Sequence, residues 1–134
     1  MNYARINGIS YEVGVAISDY EESFNVLDGE NAGRGTKSGL MIRDIIGTYI
    51  GHKITFFNKG GTAGNAAFDK LWSDLLALSV EDSVVLEAAD GQTTLKYDAY
   101  YTTGSRKLKQ VTNGVNYWDE LSVNFVPMEA QITP

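Results

Sequence analysis

Apolar and polar residues alternate with a period of two along most of this chain, and one stretch shifts to the three-to-four spacing of a helix. Tyr20, Glu22, Phe24 and Val26 alternate with Glu21, Ser23 and Asn25. From Leu40 to Phe57 the chain is rich in β-branched and aromatic residues, which suit a pleated, half-buried surface. Between these runs lies a glycine-rich, charged segment from Asp28 to Gly39. It carries too little apolar surface to offset the entropy of ordering it. Segments of that length without regular structure are uncommon in small domains, where they are functional or disordered. The pattern predicts a long β-arm over 20–58 with a mobile polar tip at 28–39.

The remaining signals are those of an antiparallel protein. Asn7-Gly8 separates Tyr3–Ile6 from Ile9–Val13, and Asn-Gly accepts the positive φ angles of a two-residue hairpin turn. Asp90-Gly91 and Asn113-Gly114 are two further signals of this type. Gly14, Gly47 and Gly51 interrupt strand patterns and predict bulges or bends. Over 65–78, Phe68, Leu71, Trp72, Leu75 and Leu78 form one apolar stripe, with Asn65 or Thr62 available as the N-cap. One stripe implies one covered sheet face. Period two then returns in Val84, Leu86 and Ala88, in Leu95, Tyr97, Ala99 and Tyr101, and in Leu121, Val123 and Phe125. The expected fold is mainly β, an antiparallel β-sandwich or barrel with one covering helix.

Composition narrows the functional classes. A length of 134 residues allows a single domain over 1–134 with a core of useful size. The net charge of −6 argues against gripping a nucleic-acid backbone, which needs a basic footprint. With no cysteine, neither a disulfide nor a thiolate metal site is available. The first residues lack the apolar core of a signal peptide, and no apolar run approaches a membrane span. These features describe a soluble domain made inside the cell.

Catalytic signals are weak. His52 is the only histidine, and the default for a lone strand histidine is a surface or half-buried position. No nucleophile elbow accompanies it. Asp28, Glu30 and Gly33 follow the start of a calcium loop, yet Ala32 and Gly39 occupy two ligand positions. Gly33 to Gly39 has the composition of a phosphate loop without its spacing. No enzyme and no cofactor is expected. Trp118 has the parity opposite to Leu121 and Phe125, which makes it a second-core residue or an exposed contact. Arg34, Lys37 and Arg43 surround the tip while Asp19, Glu21 and Glu22 lie at the arm's base. Opposite charges at two ends of one element suit head-to-tail contact between identical copies, although a solvated arm would show the same charges. The candidate interface residues are therefore Asp28, Glu30, Asn31, Arg34, Lys37, Arg43 and Trp118.

Four segments carry a resemblance. Phe24 to Arg34 followed by Met41 to Tyr49, with Gly114 to Trp118 and Leu121 to Gln131, is similar to small structural, tail-associated proteins of phages and prophages of Gram-positive bacteria. The order of elements also resembles the phage tail-tube fold, shared with distal-tail and baseplate domains. The resemblance implies a virion protein made in the host cytoplasm that joins copies of itself, in hexameric rings, and other tail proteins. Residues 28–39 would then be the inter-ring loop, and DNA would pass through as cargo. A tail-terminator, distal-tail or baseplate role and a carbohydrate- or receptor-binding β-domain are the alternatives.

Overall fold

Two long strands organise the molecule, and every other strand is placed by which of their edges it occupies. In the computed structural model, which describes residues 4–30, 32–35 and 39–134, the chain is mainly antiparallel β with one helix. Strands β1 (Ala4–Ile6) and β2 (Gly14–Val15) precede a short 3₁₀ turn at Ile17–Asp19 and strand β3 (Glu21–Asp28). Strands β4 (Gly33–Arg34) and β5 (Met41–Ile42) form a separate small ladder in the tip. Then come β6 (Ile45–Phe57), helix α1 (Gly61–Leu78), β7 (Val84–Asp90), β8 (Thr93–Tyr100), β9 (Gly104–Thr112) and β10 (Val115–Pro127). One edge of β6 takes β3 and then β2, and the other takes β10 through Phe56↔Leu121 to His52↔Phe125. The far edge of β10 carries β9 and, at Val126 and Pro127, β8. β8 continues to β7 and β1, so the sheet curls into a half-barrel.

The alternation along these strands fills the curl. Ile54 and Phe56 of β6 meet Leu121, Val123 and Phe125 of β10 and Leu86 of β7, all buried. Phe68, Leu71 and Leu75 of α1 cover them. Each such fully buried side chain stabilises the fold by about 1.5–3 kcal/mol relative to leaving it exposed. The helix starts earlier than its apolar stripe, at Gly61 rather than Asn65, and neither Thr62 nor Asn65 caps it. Gly60 is the N-cap, at φ 89°, without a side-chain bond. Asn58 organises the entry instead: its Oδ1 accepts from the Gly60 amide and its Nδ2 donates to Asn65 and to the Trp118 carbonyl. Gly64 is buried there because a Cβ would lie 3.0 Å from Asn58 Oδ1 and 3.3 Å from the Lys59 carbonyl carbon.

Three local expectations change. Asn7 and Gly8 do adopt positive φ, but Ile9–Val13 forms no strand beyond the single Ile6↔Ile9 bridge. Asn7 instead exchanges bonds with Val85, through its amide and its side chain, and β1 pairs with β7. At the β7–β8 turn, Asp90 closes the ladder against Thr93 and only Gly91 has positive φ, so the loop is Gly91-Gln92. Glu120, at φ 53°, sits in a bulge between Asp119 and Leu121. That extra residue reverses strand parity, which is why Trp118 packs against the core on the same side as Leu121. Asn113-Gly114 makes the β9–β10 hairpin turn with both residues at positive φ, as its dipeptide predicts.

Candidate functional site

Strands β3 and β9 flank the β6–β10 pair on opposite sides, β3 along residues 45–53 of β6 and β9 along residues 115–123 of β10. Among the described residues β3 pairs only with β6 and β9 only with β10. Both are exposed along almost their whole length. A bare strand edge presents unpaired backbone donors and acceptors to another chain. The charges on the two edges are of opposite sign. β3 contains Glu21, Glu22 and Asp28 and no basic residue; β9 contains Arg106, Lys107 and Lys109 and no acidic one, and these three pair within the chain with Asp69, Glu120 and Asp119 of α1 and β10. Glu21 and Lys107 line the same polar face of the sheet, with Lys53, Thr55, Ser122 and Glu120 between them.

β3 is held at its base by a buried clasp. The His52 ring is fully buried, contrary to the surface or half-buried position expected of it. Its Nε2 lies 3.0 Å from both Glu22 Oε2 and the Ala89 carbonyl, two acceptors, so in the neutral imidazole this nitrogen carries the proton. Nδ1 lies 2.7 Å from Tyr97 Oη, and burial, with Tyr20 and Glu22 nearby, raises the Tyr97 pKa and keeps that hydroxyl protonated as the donor. The Ala89 amide donates to Tyr20 Oη at 2.8 Å. Burial also raises the Tyr20 pKa, against the opposing effect of the Ala89 hydrogen bond. Both backbone groups of Ala89, on β7, are thus satisfied by side chains from the arm. Side chains close the half-barrel where no strand ladder does.

The tip is partly regular. Gly33 and Arg34 pair with Ile42 and Met41, and Arg34 Nη1 donates to the Gly39 carbonyl. Asp28 and Arg43 form a 2.8 Å ion pair across the arm; the Arg43 bond holds the Asp28 carboxyl below the usual range and raises the guanidinium in turn. Two of the candidate contacts therefore engage each other, Glu30 is exposed, and Asn31 and Lys37 lie outside the described residues. Around the tip, Leu40, Ile42, Ile45 and Ile46 are exposed, and so is Phe24 on β3, at 74%. This apolar surface was missed by strand parity, which assigns every apolar strand residue a covered face. The signal was the length of the arm itself, since a 13-residue β6 outruns the core it joins.

Trp118 is half-buried, and the Arg106 guanidinium lies between its ring and that of Trp72, at 4.3 and 4.7 Å from the centroids. Arg106 also meets Asp69 at 3.2 Å, tying α1 to the β9–β10 hairpin. Among the described residues no cluster of three His, Asp or Glu is arranged to hold a metal ion, and no helix is long and apolar enough to cross a membrane. No protein-family model matches the chain, and no curated protein does.

Proposed function

We propose that this chain is a non-enzymatic structural subunit of a phage tail that assembles with copies of itself into rings, as a tube or tube-like component. The observation that carries the reading is the pair of bare, oppositely charged strand edges flanking β6 and β10. Antiparallel pairing of β3 from one copy with β9 of the next sets the acidic strand against the basic one. Because the two patches differ, the contact is heterologous, and it closes into a ring or runs on as a filament. The exposed apolar residues around the tip offer a second surface for contact along the assembly, between rings or with other tail proteins. The resemblance to tail-associated proteins supports this placement in the virion, with DNA as passing cargo. The same surfaces serve a terminator, distal-tail or baseplate ring.

Charge reversal tests the pairing. The parent chain should form oligomers by light scattering, and Lys107→Glu with Lys109→Glu should weaken association at least about tenfold through like charges at the joint. Glu21→Lys should do the same. Mixing the two variants restores complementary edges and should restore assembly. Variants that each assemble like the parent, or a mixture that stays dissociated when the parent assembles, would show that these edges do not meet.

A further inference from the structure

The dipeptide Asn-Gly occurs twice in the chain, and its two copies are held differently. Asn7 and Asn113 adopt almost the same backbone angle, φ 51° and 52°, and the glycine after each also has positive φ. One strand pair closes each turn, Ile6↔Ile9 in the first and Thr112↔Val115 in the second. There the likeness ends. The Asn7 Oδ1 accepts from the Val85 amide at 2.8 Å, and the Asn7 amide donates to the Val85 carbonyl at 2.8 Å. Val85 is anchored in β7, whose far edge is paired with β8. Among the described residues, by contrast, the Asn113 side chain has no hydrogen-bond partner and β9 pairs only with β10. Residues 111–116 are all exposed and form the free end of a two-stranded ribbon. Such ends open at low free energy.

We infer that Asn113 is a site of spontaneous deamidation, and that β7 protects Asn7 from the same reaction. The Gly114 amide nitrogen attacks Asn113 Cγ and forms a C–N bond. The side-chain NH2 and the amide proton leave together as ammonia, and a five-membered succinimide remains. Water then opens the ring at either of its carbonyls. One opening gives aspartate; the other gives isoaspartate, with the main chain rerouted through the former side chain. Glycine favours the attack because it brings no Cβ against the reacting nitrogen and leaves the backbone free to rotate. In the closed left-handed turn the next amide points away from the asparagine side chain, so the reaction passes through an opened turn. The two closed turns are alike in that respect, and the rates differ by the cost of opening each. Asn7 must break two hydrogen bonds to Val85 that Asn113 does not have. At the usual net value of a hydrogen bond this slows Asn7 at least about fivefold. Either product at Asn113 adds a carboxylate to the end of the strand that carries Lys107 and Lys109, so the charge there changes as the protein ages.

The two sites serve as each other's control. The full chain is held at mildly alkaline pH and sampled over time by tryptic digestion and mass spectrometry. Asn7 falls in the peptide 6–34 and Asn113 in 110–134, so each reports separately, and fragment ions place the mass gained when an amide becomes a carboxylate. The folded chain should lose the Asn113 amide at least about fivefold faster than that of Asn7. In concentrated urea neither turn is held, and the two rates should converge because the reacting dipeptide is the same. An Asn113 amide that outlasts that of Asn7 in the folded chain, or decays only as fast, overturns the inference. A ratio that urea leaves unchanged also overturns it, since the difference would then lie in the flanking sequence and not in the bonds to β7.

Discussion

Replacing His52 with leucine removes the centre of the clasp and leaves three partners behind. The Glu22 carboxylate is about one-third exposed and regains water, so its loss costs little. The Ala89 carbonyl and the Tyr97 hydroxyl have no such recourse, since Tyr97 is 9% exposed and the carbonyl faces the vacated site. An orphaned buried polar group costs about 1–3 kcal/mol, so two give roughly 2–6 kcal/mol. That is a large fraction of the stability of a domain of this size. Urea unfolding followed by the fluorescence of Trp72 and Trp118 gives the value, and Tyr97→Phe completes a double-mutant cycle. In the parent, Tyr97→Phe orphans the buried His52 Nδ1 and should destabilise by about 1–3 kcal/mol. In the His52→Leu background the same change removes an orphan and should be neutral or stabilising. The coupling should therefore exceed about 1 kcal/mol. Additive effects within about 0.5 kcal/mol would refute the argument that His52 and Tyr97 form one buried hydrogen-bonded unit of the clasp.

Two further outcomes follow from the contacts of α1. The Asp74 carboxyl is held below its usual range, first by the Lys70 hydrogen bond and then by that of Tyr11, so its contribution is present above the unfolded value and disappears as pH falls through the lower folded one. Asp74→Asn should destabilise modestly at pH 7, and a comparison at pH 3 should show the difference shrinking; a gap that stays constant on acidification contradicts the assignment. Arg106→Lys replaces a planar guanidinium between two indole rings with an ammonium that stacks on neither, at a cost of about 1–2 kcal/mol. A thermal midpoint lower by roughly 3–6 °C is expected, and an unchanged one argues against the stack.

The legible parts of the fold were those written in local chemistry. Asn113-Gly114 turns because both residues tolerate positive φ, and Phe68, Leu71 and Leu75 are buried because their spacing allows one stripe. What escaped the sequence depends on contacts between distant segments. Asn7-Gly8 makes its turn, but the partner of β1 is β7, some eighty residues on. Parity placed Trp118 opposite Leu121 until Glu120 adopted φ 53°, a conformation no pattern of apolar residues announces. Gly47 and Gly51 were readable as irregular positions, though not that they admit the C-terminal segment at Ala130 and Ile132 and the Phe125 carbonyl respectively. The candidate contacts at the tip followed charge alone, and Asp28 and Arg43 meet each other. Arg106, Lys107 and Lys109 carried no signal of an edge in the sequence, and their place on an outer strand across from β3 needed the sheet order.

Amide hydrogen exchange measures the edge pairing itself. Ile50 and Thr48 direct their amides toward Gln131 and Ile132 of the C-terminal segment, so their β3 partners Phe24 and Val26 direct theirs outward, to the bare edge. Exchange is followed at these two amides and along β9, in dilute protein and at concentrations where the particle mass rises. The account predicts that Phe24 and Val26 slow at least about tenfold on assembly, equivalent to about 1.4 kcal/mol of added protection, and that alternate amides of β9 slow with them. Assembly that leaves both strands exchanging as they do in the monomer would contradict it.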